Sequence, residues 1–248
     1  MGLLSKATAV VLVTGANQGI GFEIVKKLAT EQPNFHIFLA SRSHANGQKA
    51  VATLPKLAEH TSVEALELDV NHDTSITKAV QHLEAHHGRL DVLINNAGIM
   101  SVDGVPFRDN MRQVMETNAI SAACVTEAFL PLMKKADQPR LLFTSSEWGS
   151  ITYCLDASRP FHGYDAKPYF TSKAAMNMVG AQYAVQLGKE GFKVNIVSPG
   201  FRSTNLTGFH PMASHPSEGA LEICRLAVDL DKDGQHGVFS EWEGRHPW

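Results

Sequence analysis

Cysteine is scarce in this chain. Cys124, Cys154 and Cys224 are odd in number and far apart. That excludes a disulfide framework and any CxxC pair, and it favours a reducing compartment. No apolar run approaches the roughly 18 residues a membrane span needs. Ala9–Val13 is apolar but gives way at once to a glycine-rich turn, whereas a secretory leader needs a longer stretch and a small-residue cleavage site. A cytoplasmic location away from membranes is therefore expected. Excess positive charge is missing too: the net charge is −3, with no basic stripe for a nucleic-acid backbone. There is no GxSxG elbow of a serine hydrolase around Ser146. His82 and His86 are spaced as zinc ligands, but the glutamate stands one place off the hydrolase motif and no third ligand is evident. No metal is expected.

What the chain does have is strand alternating with helix. Strands are expected at Thr8–Val13, Phe35–Ala40, Val63–Leu68, Asp91–Ile94, Arg140–Thr144, Lys193–Val197 and near Val238. Helices are expected at Gly19–Thr30, Gly47–Ala58, Ser75–His87, Met111–Lys134, Ser172–Gly188 and Ser217–Val228. Such alternation implies βαβ units and a parallel sheet covered on both faces. The expected fold is α/β, a Rossmann-type doubly wound sheet of about seven strands in a single domain over residues 1–248. Gly149–Pro168 and Phe201–Pro216 are irregular and each follows a strand, which places them beside the carboxyl ends where such sheets bind ligands. They are the expected substrate loops.

The first strand runs into Thr14-Gly15-Ala16-Asn17-Gln18-Gly19-Ile20-Gly21, which opens a helix. Glycine permits a tight turn and close approach to a pyrophosphate, and the helix N-terminus offers free N–H groups. About 20 residues on, where an acidic residue would hold the ribose 2′-hydroxyl of NAD(H), stand Ser41 and Arg42. These would donate to a 2′-phosphate, so NADP(H) is the expected cofactor rather than NAD(H), although the glycine loop carries no basic residue.

The TGxxxGxG spacing resembles the short-chain dehydrogenase/reductase family. So do Asp69-Val70 after the third strand, Asn95-Asn96-Ala97-Gly98 after the fourth, Tyr169-Phe170-Thr171-Ser172-Lys173, and Pro199-Gly200 with Thr204 after the sixth. The resemblance spans roughly residues 8–240. It implies cofactor contacts from Gly15, Asn17, Gln18, Gly19, Ile20, Gly21, Ser41, Arg42, Asp69, Val70, Asn96, Ala97, Gly98, Tyr169, Lys173, Pro199, Gly200 and Thr204. It implies catalytic roles for Asn118, Ser146, Tyr169 and Lys173. Ser146 is chosen over Ser145 because Ser146-Glu147-Trp148-Gly149 fits the family's serine followed by xxG. Asn118 is expected to kink its helix and hold a water that links the lysine to solvent.

Tyr169 and Lys173 are four apart and share a helix face. A nearby ammonium stabilises a phenolate. Bringing a tyrosine from about 10 to about 7 takes roughly 4 kcal/mol of differential stabilisation. A phenol so lowered is matched to proton transfer near neutral pH. The expected reaction reduces a ketone or aldehyde carbonyl to an alcohol, with a small-molecule carbonyl or alcohol as substrate. Two alternatives stay open: a non-catalytic NADP-binding regulator or scaffold, and an epimerase or cyclase repurposed on the same fold.

The interval from Ser146 to Tyr169 is longer than in many relatives, and single-chain carbonyl reductases also carry an insertion there. A monomer or homodimer is expected. Trp148, Tyr153, Phe161, Phe201 and Met212 either line the substrate pocket or belong to the core. Arg202 meets a polar substrate, meets the cofactor phosphates, or faces solvent.

Overall fold

Strands made of unbroken apolar runs require cover on both faces. The computed structural model, which describes residues 8–248, provides that cover. Residues 1–7 of the expected domain lie outside the described residues. In chain order the elements begin β1 (Ala9–Val13), α1 (Gly19–Glu31), β2 (Phe35–Ser41), α2 (His44–Ala52), β3 (Ser62–Glu67), α3 (Asp73–His87) and β4 (Val92–Asn95). They continue α4 (Phe107–Met115), α5 (Ser121–Met133), β5 (Arg140–Thr144), α6 (Ile151–Leu155), α7 (Lys167–Leu187) and β6 (Lys193–Val197). The last are α8 (Pro216–Gly219), α9 (Leu221–Ala227), β7 (Phe239–Glu241) and β8 (Gly244–Arg245).

The fold is the expected doubly wound Rossmann-type sheet. Its strand order is β3-β2-β1-β4-β5-β6-β7-β8. All neighbours are parallel except β8, which runs antiparallel to β7 as an added edge. Successive strand residues point to opposite faces. Val10, Leu12, Phe38, Leu93, Leu141 and Phe143 therefore bury against α3, α5 and α7. Val11, Val13, Ile37, Leu39, Ile94 and Leu142 bury against α1 and α9. Each such side chain contributes about 1.5–3 kcal/mol by leaving water. Truncating the fully buried Phe129 or Phe143 to alanine would cost about 3–5 kcal/mol.

The order reverses at β1, between β2 and β4. A crevice opens there beyond the carboxyl ends of the strands, and both the glycine loop and the Asn96–Gly98 segment emerge into it.

Four helices differ from the sequence expectation, one of them because Ser217–Val228 divides at Ala220 into α8 and α9. The stretch Met111–Lys134 is not one helix but α4 and α5, joined by a π-helical turn at Glu116–Ile120. The second helix spans His44–Ala52 rather than Gly47–Ala58. Ser43 caps it by accepting the Asn46 N–H, and it closes at Thr53, ahead of Pro55. Helix α7 starts at Lys167, five residues earlier than expected, with Pro168 in its first turn, where a missing N–H costs nothing. That early start puts Tyr169 as well as Lys173 on the helix.

Candidate functional site

The crevice is a cleft of about 390 Å³. Of the residues expected to contact a cofactor, every one lines it: Gly15, Asn17, Gln18, Gly19, Ile20, Gly21, Ser41, Arg42, Asp69, Val70, Asn96, Ala97, Gly98, Tyr169, Lys173, Pro199, Gly200 and Thr204. Ser146 lines it as well.

The glycine loop is built as a cradle. Gly15 has φ +61°, and a Cβ there would sit 2.9 Å from the Cα of Ala97, closer than real side chains come. Thr14 ties the loop to the end of β4, since its hydroxyl accepts the N–H groups of Asn96 and Ala97 at 2.9 and 3.0 Å. The Asn96 amide donates back to the carbonyls of Thr14 and Gly15 at 2.9 and 3.2 Å. Helix α1 begins above this cradle with no side-chain cap and no acidic residue in its first turn. Its free N–H groups and positive dipole end therefore face the cleft, a fit for a diphosphate. Ser41 is buried, while Arg42 is exposed at the cleft margin. Across the mouth, the Asn205 amide donates to the Gln18 side-chain oxygen at 2.7 Å and joins the glycine loop to the 201–216 segment.

At the other end, Ser146 caps a short 3₁₀ turn, Glu147–Gly149, by accepting the Trp148 N–H at 3.2 Å. The Glu147 N–H donates to Ser198 Oγ at 3.0 Å, which joins this turn to the Pro199–Gly200 segment. The turn lies flat on α7: a Cβ on Gly149 would stand 2.7 Å from the Lys173 carbonyl carbon, so only glycine fits. Tyr169 and Lys173 are buried on the cleft wall. The Lys173 Nζ lies 5.7 Å from the Tyr169 ring centre and donates to the Thr144 carbonyl at 2.8 Å.

The electrostatics run opposite to the sequence expectation. Burial pushes the Tyr169 phenol up to about 12, against which the Ser146 hydroxyl acts by hydrogen bonding. Burial also brings the Lys173 amine down to about 7. Desolvation penalises both charged forms at once. In the protein alone, a lysine near half protonation adds little field with which to lower the phenol.

Asn118 is the one expected catalytic residue away from the cleft. It sits in the π-helical turn and is fully buried. Its Oδ1 accepts the Ile99 N–H at 2.8 Å, and its amide donates to the Ile99 carbonyl at 2.8 Å and to Ser172 Oγ at 2.9 Å. A π-helical turn stands where a kink was expected, and the Asn118 side chain ties the Gly98–Ile99 backbone to α7.

The expected apolar wall divides. Trp148 and Phe201 line the cleft; Tyr153, Phe161 and Met212 do not. Phe161 is buried against Trp148, and Met212 is largely exposed. Arg202 reaches the cleft margin, but its guanidinium bonds Ser214 Oγ and lies 3.4 Å from Glu218. It ties together the two ends of the 201–216 loop and Glu218, while its Nε is buried without a partner among the described residues. The sequence reading missed Asn46, Ile99, Met100, Thr144 and Leu206, which also line the cleft. Four of these lie within a few residues of a motif already singled out, which was the available signal. His82 and His86 form no metal site; among the described residues no cluster of potential ligands is placed to hold one. No helix among them is long and apolar enough to cross a membrane.

Comparison with known proteins agrees with this architecture. A family model described as short chain dehydrogenase matches residues 9–211. The chain is 37% identical over 228 residues to the short-chain dehydrogenase anuI of Penicillium roqueforti (strain FM164), covering 88% of each. It is 30% identical to (+)-neomenthol dehydrogenase of Arabidopsis thaliana, covering 92% of this chain and 94% of that protein. Among solved structures, an NADPH-bound carbonyl reductase from chicken fatty liver superposes with a TM-score of 0.79 at 27% identity, covering 98% of this chain and all of that one.

Proposed function

The chain belongs to the short-chain dehydrogenase family, and on that premise we propose that it is an NADP(H)-dependent oxidoreductase reducing a ketone or aldehyde carbonyl to an alcohol. One observation carries this reading: Ser146, Tyr169 and Lys173 converge on the far end of the cleft that starts at the glycine loop. A binding protein without chemistry has no need of a buried phenol and a buried amine there.

The Gly15–Gly21 loop and the α1 N-terminus hold the diphosphate, and Ser41 and Arg42 hold the 2′-phosphate. Asp69 and Val70 border the adenine. Asn96, Ala97, Gly98, Pro199, Gly200 and Thr204 frame the nicotinamide end. When bound, the nicotinamide supplies the hydride.

The chain's own residues supply the rest. Ser146 Oγ donates a hydrogen bond to the substrate oxygen and stabilises charge developing there. Tyr169 gives that oxygen its proton. A phenol held near 12 is protonated at neutral pH, the state a proton donor requires. Lys173, anchored on the Thr144 carbonyl, lies close enough to add positive charge as the proton leaves. Asn118 holds the Gly98–Ile99 wall in register with α7. Trp148, from the turn after Ser146, and Phe201, from the 201–216 segment, give the substrate an apolar surface, as small-molecule sites commonly have.

NADPH consumption, followed by absorbance over a panel of ketones and aldehydes, tests the reading. Turnover that exceeds the rate with NADH supports it. NADPH binding with no turnover on any carbonyl rejects it in favour of a regulator. Product without net cofactor loss rejects it in favour of an epimerase or cyclase.

A further inference from the structure

The extra residues between Ser146 and Tyr169 do not line the cleft, except at Glu147 and Trp148. They fold behind it. Trp148 presents one side to the cleft, and its other contacts come from this excursion and from α7. Phe170 stacks on it at 4.8 Å between ring centres, Tyr164 lies at 5.3 Å and Phe161 at 5.7 Å. Tyr169 meets it edge-on at 5.8 Å. Apart from Tyr169, the rings that prop this wall, Phe161, Tyr164 and Phe170, do not line the cleft.

One cation, Arg159, contacts both this excursion and the turn after Ser146. The Arg159 guanidinium lies over the face of Tyr153, 3.3 Å from the ring centre, a stacked arrangement suited to arginine and unavailable to lysine in the same planar form. It stands 3.8 Å from the Glu147 carboxylate and 3.8 Å from that of Asp156. The Arg159 carbonyl accepts the His162 N–H at 3.0 Å, and the Phe161 carbonyl accepts the Tyr164 N–H at 3.0 Å. The turn that carries Phe161 and Tyr164 therefore starts from Arg159. Tyr153 is itself backed by His246, edge-on at 5.5 Å, and His246 lies 3.2 Å from Glu241. Glu147 is the residue directly after Ser146. Side-chain contacts run from the turn after Ser146 to Arg159, and from there the backbone leads to Phe161 and Tyr164, two of the rings behind Trp148.

We propose that Arg159 clamps the 151–165 excursion onto the back of Trp148 and so sets which carbonyl substrates fit, preferring those with an aromatic or other flat apolar group beside the carbonyl. Arg159 is a positioning residue: it acts through Glu147, Tyr153 and the ring stack, and touches neither substrate nor cofactor. The selectivity half of the proposal rests on the carbonyl-reductase reading; the clamp itself does not.

The test uses both halves. The chain holds three tryptophans, Trp148, Trp242 and Trp248, so W242F/W248F leaves Trp148 as the sole emitter. In that background Arg159→Met should raise acrylamide quenching of Trp148 at least about twofold, and Arg159→Lys should fall between. Unchanged quenching overturns the clamp. In the otherwise native chain, Arg159→Met should raise KM for acetophenone at least about fivefold, leave KM for butanone within about twofold, and leave NADPH affinity unchanged. Equal effects on the two ketones overturn the selectivity role, because a merely structural loss would not discriminate between them. If the native protein reduces no carbonyl at all, the functional reading fails while the quenching result still decides the clamp. Should Arg159→Met not fold, Glu147→Gln cuts the same contact from the other end, and its Trp148 quenching decides in the same way.

Discussion

The amine nitrogen of Lys173 stands 5.7 Å from the centre of the Tyr169 ring and spends a hydrogen bond on the Thr144 carbonyl, not on the phenol. The pair is close enough for the lysine to act as a field on the tyrosine but is not joined by a proton bridge. Burial raises one group to about 12 and lowers the other to about 7, so both are mostly uncharged in the protein alone somewhat above neutral pH. The site holds its proton on the phenol, ready to give.

Removing that proton leaves only binding. Tyr169→Phe keeps the ring against Trp148 and deletes the donor. Turnover should fall by about 10²–10⁴, the usual weight of a positioned general acid. NADPH affinity, measured by fluorescence titration, should stay within about threefold. Comparable turnover in the mutant would remove the phenol from the reaction.

Lys173 makes stability depend on pH with a definite sign. Between pH about 7 and its ordinary value of 10.5, the unfolded chain carries a proton on this lysine that the native state does not. More protons bound by the unfolded state means stability rises with pH, by at most about 1.4 kcal/mol per pH unit. Above pH 10 the raised Tyr169 opposes this, because the unfolded phenol then ionises first. Urea midpoints without added nucleotide should climb from pH 7 to pH 9, and Lys173→Met should flatten that climb. A parallel climb in the mutant would show that other groups cause it.

Arg42 should decide between the two nicotinamide cofactors. Charge-assisted hydrogen bonds are worth about 1.5–3 kcal/mol. Arg42→Ala should therefore weaken NADPH binding about 10- to 100-fold and change NADH binding by no more than about twofold. Calorimetry with both nucleotides measures this, and an equal loss for the two would mean that Arg42 does not meet the 2′-phosphate.

The bridge from Asn205 to Gln18 spans the cleft mouth and would lie across the diphosphate. It is exposed, so its weight is that of one hydrogen bond, about 0.5–1.5 kcal/mol. Asn205→Ala should speed NADPH release by up to about tenfold in stopped-flow chase experiments, with a smaller effect on capture. Gln18→Ala should match it, and the double mutant should be no faster than either alone.

How much of this was legible from residues alone follows from the range of each interaction. Strand-helix alternation is a local signal and sufficed for the sheet, while the motifs of the family resemblance, from Gly15 to Thr204, marked much of what lines the cleft. The start of α7 was missed although Pro168 sits where prolines open helices, because the aromatic run before it reads as irregular. In the second helix the Ser43 cap sets the start at His44, and Pro55 bars a continuation to Ala58. The fate of Phe161 and Tyr153 could not be read: whether a ring lines a cleft or braces the residue that does depends on a fold-back of the chain, and nothing in its spacing encodes which side faces out. Arg202 and Arg159 have the same difficulty, since each partner is set by tertiary contact. The pKa directions of Tyr169 and Lys173 in the protein alone lie beyond what spacing gives. Spacing reveals the shared face, but desolvation is a property of the finished interior.

The turn at Glu116–Ile120 takes in one residue more than an α-helical turn holds. The Ser121 N–H reaches back five residues to the Glu116 carbonyl, one more than an α-helix uses. That surplus residue sets the angular phase between α4 and α5. Were the same residues, with none removed, to bond in the ordinary α-helical pattern, the helix would gain regularity. Everything beyond it would then turn by about 100°, swinging Val125, Phe129 and Leu132 off the sheet and Glu127 toward it. The irregular bonding is thus what keeps two otherwise ordinary helices in phase with one hydrophobic interior.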